Sequence, residues 1–122
     1  MLTCKELKNR LSVLTKRRAL LLSRMELQSS CENEQKSFWF VAYSLQTQID
    51  SLAAQVDSTL AMCSDGPEGI ELDPEMGSGI CQVYQISPKV LSSALPIIMR
   101  ELLSTIQNLL EKSEGFFQDC IS

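Results

Sequence analysis

The chain runs through 65 residues before its first glycine, Gly66, and its first proline, Pro67. A stretch of that length with neither breaker, no β-branched run and only one polar patch, "QSSCENEQK", has few alternatives to helix. Helix is therefore expected from about Thr3 to Cys63. The next segment, "SDGPEGIELDPEMGSG", crowds Gly, Pro and acids together with few apolar groups, the composition of a connector. The expected organisation is a long helical or coiled-coil segment at 1–63, an acidic Gly/Pro connector without fixed structure at 64–79, and a C-terminal helix with a short tail at 80–122. At 122 residues and 44% hydrophobic content the chain can build one core. The fold class is all-α, with the long N-terminal helix and the C-terminal helix packed as an antiparallel helical hairpin or coiled-coil bundle.

Apolar periodicity supports this. Phe38, Ala42, Leu45, Ile49, Leu52, Val56, Leu60 and Cys63 follow one another at steps of three and four, a bundle seam, with Gln46, Gln48, Asp50, Gln55 and Asp57 on the solvated back. Further upstream, Leu7, Leu11, Leu14, Leu21 and Met25 make a stripe interrupted by Arg18, which either snorkels outward or sets register as a polar group in the seam. Val13, Leu20 and Leu27 recur every seven residues on nearly the opposite side. In the C-terminal part Ser87 is expected to cap a helix opened by Pro88, and Gly115 to end it. Pro96 implies a kink or a later start near Ser93. Leu91, Leu95, Ile98, Leu102, Ile106, Leu109 and Phe116 form its stripe, widened by Met99, Leu103, Leu110 and Phe117. The piece "ICQVYQI" reads equally as extended chain or a helical turn.

Whether the first segment is one helix or two turns on residues 29–33. No Gly or Pro is available there to reverse the chain, which favours a continuous rod of about 90 Å. Ser29 and Glu32 match an S-x-x-E capping box, which would break it and give a compact three-helix bundle. On the continuous reading the returning helix reaches only half as far, and the N-terminal half needs another chain to cover it. Leu7, Leu11, Leu14, Leu21 and Met25 are then partner-binding, together with the aromatic turn: Trp39 and Tyr43 fall near the Leu21–Met25 side, and Phe40 points elsewhere.

Charge is unevenly distributed. The net charge is −4, yet Lys5, Lys8, Arg10, Lys16, Arg17, Arg18 and Arg24 stand against few acids at the N-terminal end, so Lys16, Arg17, Arg18 and Arg24 are candidate contacts to an acidic protein or nucleic-acid surface. These cations take several directions around the helix and no aromatics interleave them, which weakens the reading of a flat anionic partner.

The five cysteines, Cys4, Cys31, Cys63, Cys81 and Cys120, are odd in number and scattered. With no apolar signal segment in "MLTCKELKNRL", they point to reduced thiols and an intracellular place, cytoplasmic or nuclear. Histidine is absent, no CxxC pair occurs, and no phosphate loop or G-x-S-x-G elbow is present, so no catalytic, cofactor or metal site is expected. Asp65, Glu68, Glu71, Asp73 and Glu75 do not follow EF-hand order and read as a solvated acidic loop. No apolar run approaches the roughly twenty residues of a membrane span. Ser87-Pro88 has the minimal form of a proline-directed phosphorylation site.

The expected function is that of a non-enzymatic helical interaction subunit of a larger intracellular assembly, of cytoskeletal, chromosomal or trafficking type, whose partners are other helical proteins, with homo- and hetero-association equally open. The alternatives are a self-contained helical-bundle regulatory module that binds a peptide or apolar ligand, and a helical enzyme subunit completed by a partner.

Overall fold

The structure, a computed structural model, describes residues 3–27, 36–67, 69–73, 81–83, 85 and 87–121, and of residues 36–39, 88, 120 and 121 the backbone alone. Three helices carry the fold: α1 (Cys4–Leu27), α2 (Lys36–Ala61) and α3 (Pro88–Ile121). A two-stranded antiparallel hairpin, β1 (Cys63–Gly66) and β2 (Gly69–Leu72), follows α2 directly. The protein is an all-α helical bundle with this hairpin at one end.

The N-terminal segment is two antiparallel helices and not one rod. Arg18 Nη2 on α1 lies 2.5 Å from Asp50 Oδ1 on α2, whereas an unbroken helix would hold residues so far apart in sequence about 48 Å from each other. The start of α1 likewise meets the chain just beyond α2, through a 2.7 Å hydrogen bond from the Cys4 N–H to Asp65 Oδ1. The broken alternative is therefore the one found. The Ser29–Glu32 capping pair lies outside the described residues. Burial explains the outcome: folding back lets α2 and α3 cover the α1 stripe, each fully buried Leu or Met being worth roughly 1.5–3 kcal/mol.

Along α3, Arg10 reaches Ser104, Arg17 reaches Glu114 and Arg24 lies over Phe117. Both sets of numbers rise together, so α1 and α3 are parallel and α2 runs antiparallel to both. The most extensive helix–helix contact is between α2 and α3. Ala42, Ile49, Val56 and Leu60 are buried in it as their spacing predicts. Gln46, expected on the solvated back of α2, is only 3% exposed. Its Nε2 donates to Ser113 Oγ at 2.8 Å, and that hydroxyl donates in turn to the Ala42 carbonyl at 2.8 Å. Gln46 thus belongs to the seam with α3, where a buried hydroxyl satisfies its amide N–H, a pairing that apolar periodicity does not anticipate.

The connector is ordered where it is described. Cys63 pairs with Leu72, Asp65 with Ile70 and Gly66 with Gly69, and the Asp73 N–H extends the ladder to the Met62 carbonyl. The turn needs glycine at position 69, where φ is 131°. Cross-strand pairing and the period of two place Cys63, Asp65, Ile70 and Leu72 on one face, and this face meets the bundle, with Cys63 and Ile70 buried. What defeats the expectation of disorder is the pair of apolar anchors, Ile70 and Leu72, inside the acidic run.

Ser87 caps α3 as expected, its Oγ accepting from the Val90 N–H at 3.2 Å. The helix starts at Pro88, not near Ser93, and passes through Pro96. Its buried face is centred on Leu95, Met99, Leu103, Ile106, Leu110 and Phe117, while Ile98 is 47% exposed. The shift follows from α3 being covered from two sides, by α2 and by α1. Residues 81–83 form a helical turn with Cys81 buried. Gly115 does not end α3, which continues to Ile121, because another turn is needed to bury Phe117 to 2% exposure.

Gly115 is thus an exposed glycine in a helix interior, and a Cβ added there meets nothing within 4 Å. Gly115→Ala is expected to stabilise the protein by about 0.5–1 kcal/mol, read as a higher urea midpoint at unchanged slope.

Candidate interaction surface

The surface is built on α1, and its geometry begins with how that helix is anchored. Thr3 and Glu6 form a reciprocal capping box: the Glu6 N–H donates to Thr3 Oγ1 at 3.1 Å, and the Thr3 N–H donates to Glu6 Oε2 at 3.4 Å. The two remaining free N–H groups of the first turn are taken by the hairpin. Asp65 Oδ1 accepts from Cys4 at 2.7 Å and Oδ2 from Lys5 at 3.4 Å, placing a carboxylate at the positive end of the helix dipole. Asp65 is therefore a cap contributed from sixty residues away and not part of a solvated acidic loop.

Beside this cap two thiols meet. Cys4 and Cys63 are free and buried, at 3% and 8% exposure, and close enough for each to perturb the other's ionisation, while the Cys63 thiol donates to the Thr59 carbonyl at 3.2 Å. Burial and then the neighbouring Asp65 charge push the Cys4 thiol up. Burial, reinforced by Cys4, pushes Cys63 up to about 11. Thiols this reluctant to ionise are poor nucleophiles and poor metal ligands.

An arginine ladder with seven-residue spacing ties α1 to α3. Arg10 Nη2 donates to Ser104 Oγ at 3.3 Å; Arg17 makes a forked contact to Glu114, Nη2 to Oε1 at 2.5 Å and Nε to Oε2 at 3.2 Å; and Arg24 sits 5.5 Å from the centroid of Phe117. Two of the four cations expected to meet an external anionic surface are consequently engaged inside the chain, Arg17 with Glu114 and Arg18 with Asp50. Each stands at a position where α1 abuts another helix, and each finds an acid there. The signal for the ladder was present in the sequence as Arg10, Arg17 and Arg24 at equal steps, beside the leucine stripe.

The leucine stripe itself faces inward. Leu7, Leu11, Leu14, Leu21 and Met25 range from 0 to 8% exposure and belong to the chain's own core, so the partner-binding role expected of them is corrected: α2 and α3 are the helices that cover them. The side pointing out carries Val13, Leu20 and Leu27, which are 64%, 68% and 82% exposed. Lys16 and Arg24 are exposed on the same side. At the start of α2, Phe40 is 73% and Tyr43 53% exposed. Trp39 lies in α2 with its side chain outside what is described. An open groove between α1 and α2 is lined by Lys8, Leu11, Ser12, Thr15, Lys16, Ala19 and Asp57.

Among the described residues no three His, Cys, Asp or Glu side chains are grouped to hold a metal ion, and no helix is long and apolar enough to cross a membrane. Comparison with protein-family models, with curated proteins and with solved structures found no match.

Removing the Asp65 cap is expected to cost about 1 kcal/mol in Asp65→Ala and less in Asp65→Asn, which keeps one acceptor oxygen. Chemical denaturation checks the order of the two variants. The raised thiol of Cys63 sets a second expectation. Its folded value lies above the unfolded 9.0, so the folded state holds its proton longer, and the stability it contributes is full below pH 9 and is lost as pH climbs toward about 11. Unfolding free energy should fall less steeply across that window in Cys63→Ala than in the native chain.

Proposed function

We propose that this chain is a non-enzymatic helical protein–protein interaction subunit of a larger intracellular assembly, of the cytoskeletal, chromosomal or trafficking kind, and that it docks as a folded three-helix unit. The observation that supports this best is the outward line of Val13, Leu20 and Leu27 on α1, three large apolar side chains more than 60% exposed and evenly spaced along one helix. Isolated exposed apolar residues are ordinary, but a line at heptad spacing is the pattern a partner helix reads. Phe40 and Tyr43 add exposed rings on α2, a residue type enriched where proteins meet. Association replaces water on these groups by side chains of the partner, and the flanking cations orient the approach. The adjoining free thiols Cys4 and Cys63 fit a reducing compartment, cytoplasm or nucleus.

A second reading is a self-contained regulatory module that takes a peptide, and the observation favouring it is the groove between α1 and α2, whose lining combines Leu11 and Ala19 with Lys8, Lys16 and Asp57. One experiment separates the two. The tagged full chain, purified at physiological salt, is expected to bring a helical partner in fixed stoichiometry, and Leu20→Gln combined with Leu27→Gln is expected to release it while shifting stability by no more than about 0.5 kcal/mol. A chain that is isolated alone as a monomer would sink the assembly reading.

A further inference from the structure

We infer that the outer line of α1 is a docking strip for an amphipathic helix of another protein whose own apolar line is bordered by Asp or Glu; this rests on the interaction-subunit reading above and adds the chemistry of the partner. The strip is apolar along its centre and positive along its borders. On a helix the neighbours of a residue are those three and four positions away. For Val13 they are Asn9, Arg10, Lys16 and Arg17, and for Leu20 they are Lys16, Arg17, Ser23 and Arg24, so each is flanked by three cations and no acid. Arg10 and Arg17 are turned toward Ser104 and Glu114 on α3. Lys16 and Arg24 are exposed and form no ion pair among the described residues, Arg24 resting against the Phe117 ring with its charge unneutralised. They are the charges left for a partner to meet.

The same borders decide against a second copy of this chain on the strip. An antiparallel two-fold centred on Leu20 sets Val13 against Leu27, as packing would like, but it also sets Lys16 against Arg24. The parallel arrangement sets Lys16 against Lys16 and Arg24 against Arg24. Either register stacks like charges beside the apolar contact, the device by which coiled coils reject a wrong partner. An anionic polymer would satisfy Lys16 and Arg24 yet leave Val13, Leu20 and Leu27 in water. A helix with a leucine-like line and acidic borders answers both features at once. Its approach would be steered by charge and weakened by salt.

The test uses the full chain and two designed helical peptides of roughly three heptads that share a Leu line, one bordered by Glu and one by Lys. The Glu-bordered peptide is expected to bind at least about tenfold tighter, with chemical-shift changes centred on Val13, Leu20 and Leu27. Lys16→Glu with Arg24→Glu should reverse the preference, and Leu20→Gln should weaken the Glu-bordered peptide at least about tenfold at unchanged unfolding midpoint. Three outcomes overturn the inference: no preference between the peptides, a single-stranded oligonucleotide that binds tighter than either peptide and ignores Leu20→Gln, or a dimer of the chain that Leu20→Gln dissolves. A stoichiometric cellular partner that stays bound to Leu20→Gln also removes the strip, and leaves the interaction-subunit reading standing.

Discussion

A single serine sets the register on which the rest of the bundle depends. Ser113 is wholly buried in the seam between α2 and α3, where it accepts from Gln46 and donates to the Ala42 carbonyl. Sliding α3 by a turn would leave a buried amide and a buried hydroxyl without partners, at about 1–3 kcal/mol each, in a seam where apolar contacts alone would tolerate the slip. With Ser113 fixed, its neighbour Glu114 stands opposite Arg17, and Phe117 one turn further stands beneath Arg24. The position of α1 is thus inherited from a hydrogen bond in which it takes no part. At the other end of the bundle, α2 leads straight into β1, and the strand carries Asp65 to the first turn of α1.

Different forces hold the two faces of α1. Its inner stripe is held by burial, while its sides are held by half-exposed polar contacts that are individually weak: the Arg17–Glu114 pair is 40% and 33% exposed, a setting in which an ion pair is worth about 0–1 kcal/mol. What such contacts add is direction. The ladder at Arg10, Arg17 and Arg24 settles which side of α1 abuts α3, and therefore which side is left outside.

Much of this was legible in the sequence, and the failures have specific causes. The helix class, the α2 seam and the Ser87 cap followed from spacing and capping chemistry, which are local. A single rod is what the missing Gly and Pro favour, because they speak to the cost of a turn and are silent on the gain from burying Leu7 through Met25. Gly115 reads locally as a stop, and the burial of Phe117 carries the helix past it; of the two readings Pro96 allows, the late start near Ser93 is excluded because α3 begins at Pro88. Asp65 as the cap of α1 could not be read from any window, since the capped groups lie sixty residues away. The stripe expected to meet a partner, Leu7 to Met25, is core. The thinner line beside it became the surface.

That exchange has a geometric reason. A broad stripe with apolar residues at steps of three and four presents enough width for two neighbouring helices, whereas a line with one residue per seven presents width for one. In a three-helix bundle each helix has two neighbours inside, so the broad stripe of α1 must turn inward, and the line nearly opposite it is necessarily left facing out. Val13, Leu20 and Leu27 are therefore not core residues displaced by poor packing. They lie at the spacing that a single additional helix fills, on the side of α1 where Arg17 is already paired with Glu114 and where Lys16 and Arg24 are exposed without an ion pair among the described residues, Arg24 resting on the Phe117 ring. In a chain of net charge −4, α1 thus sets Lys16 and Arg24 beside three evenly spaced, exposed apolar side chains, and the packing of α2 and α3 against its broad stripe fixes which side of α1 bears them.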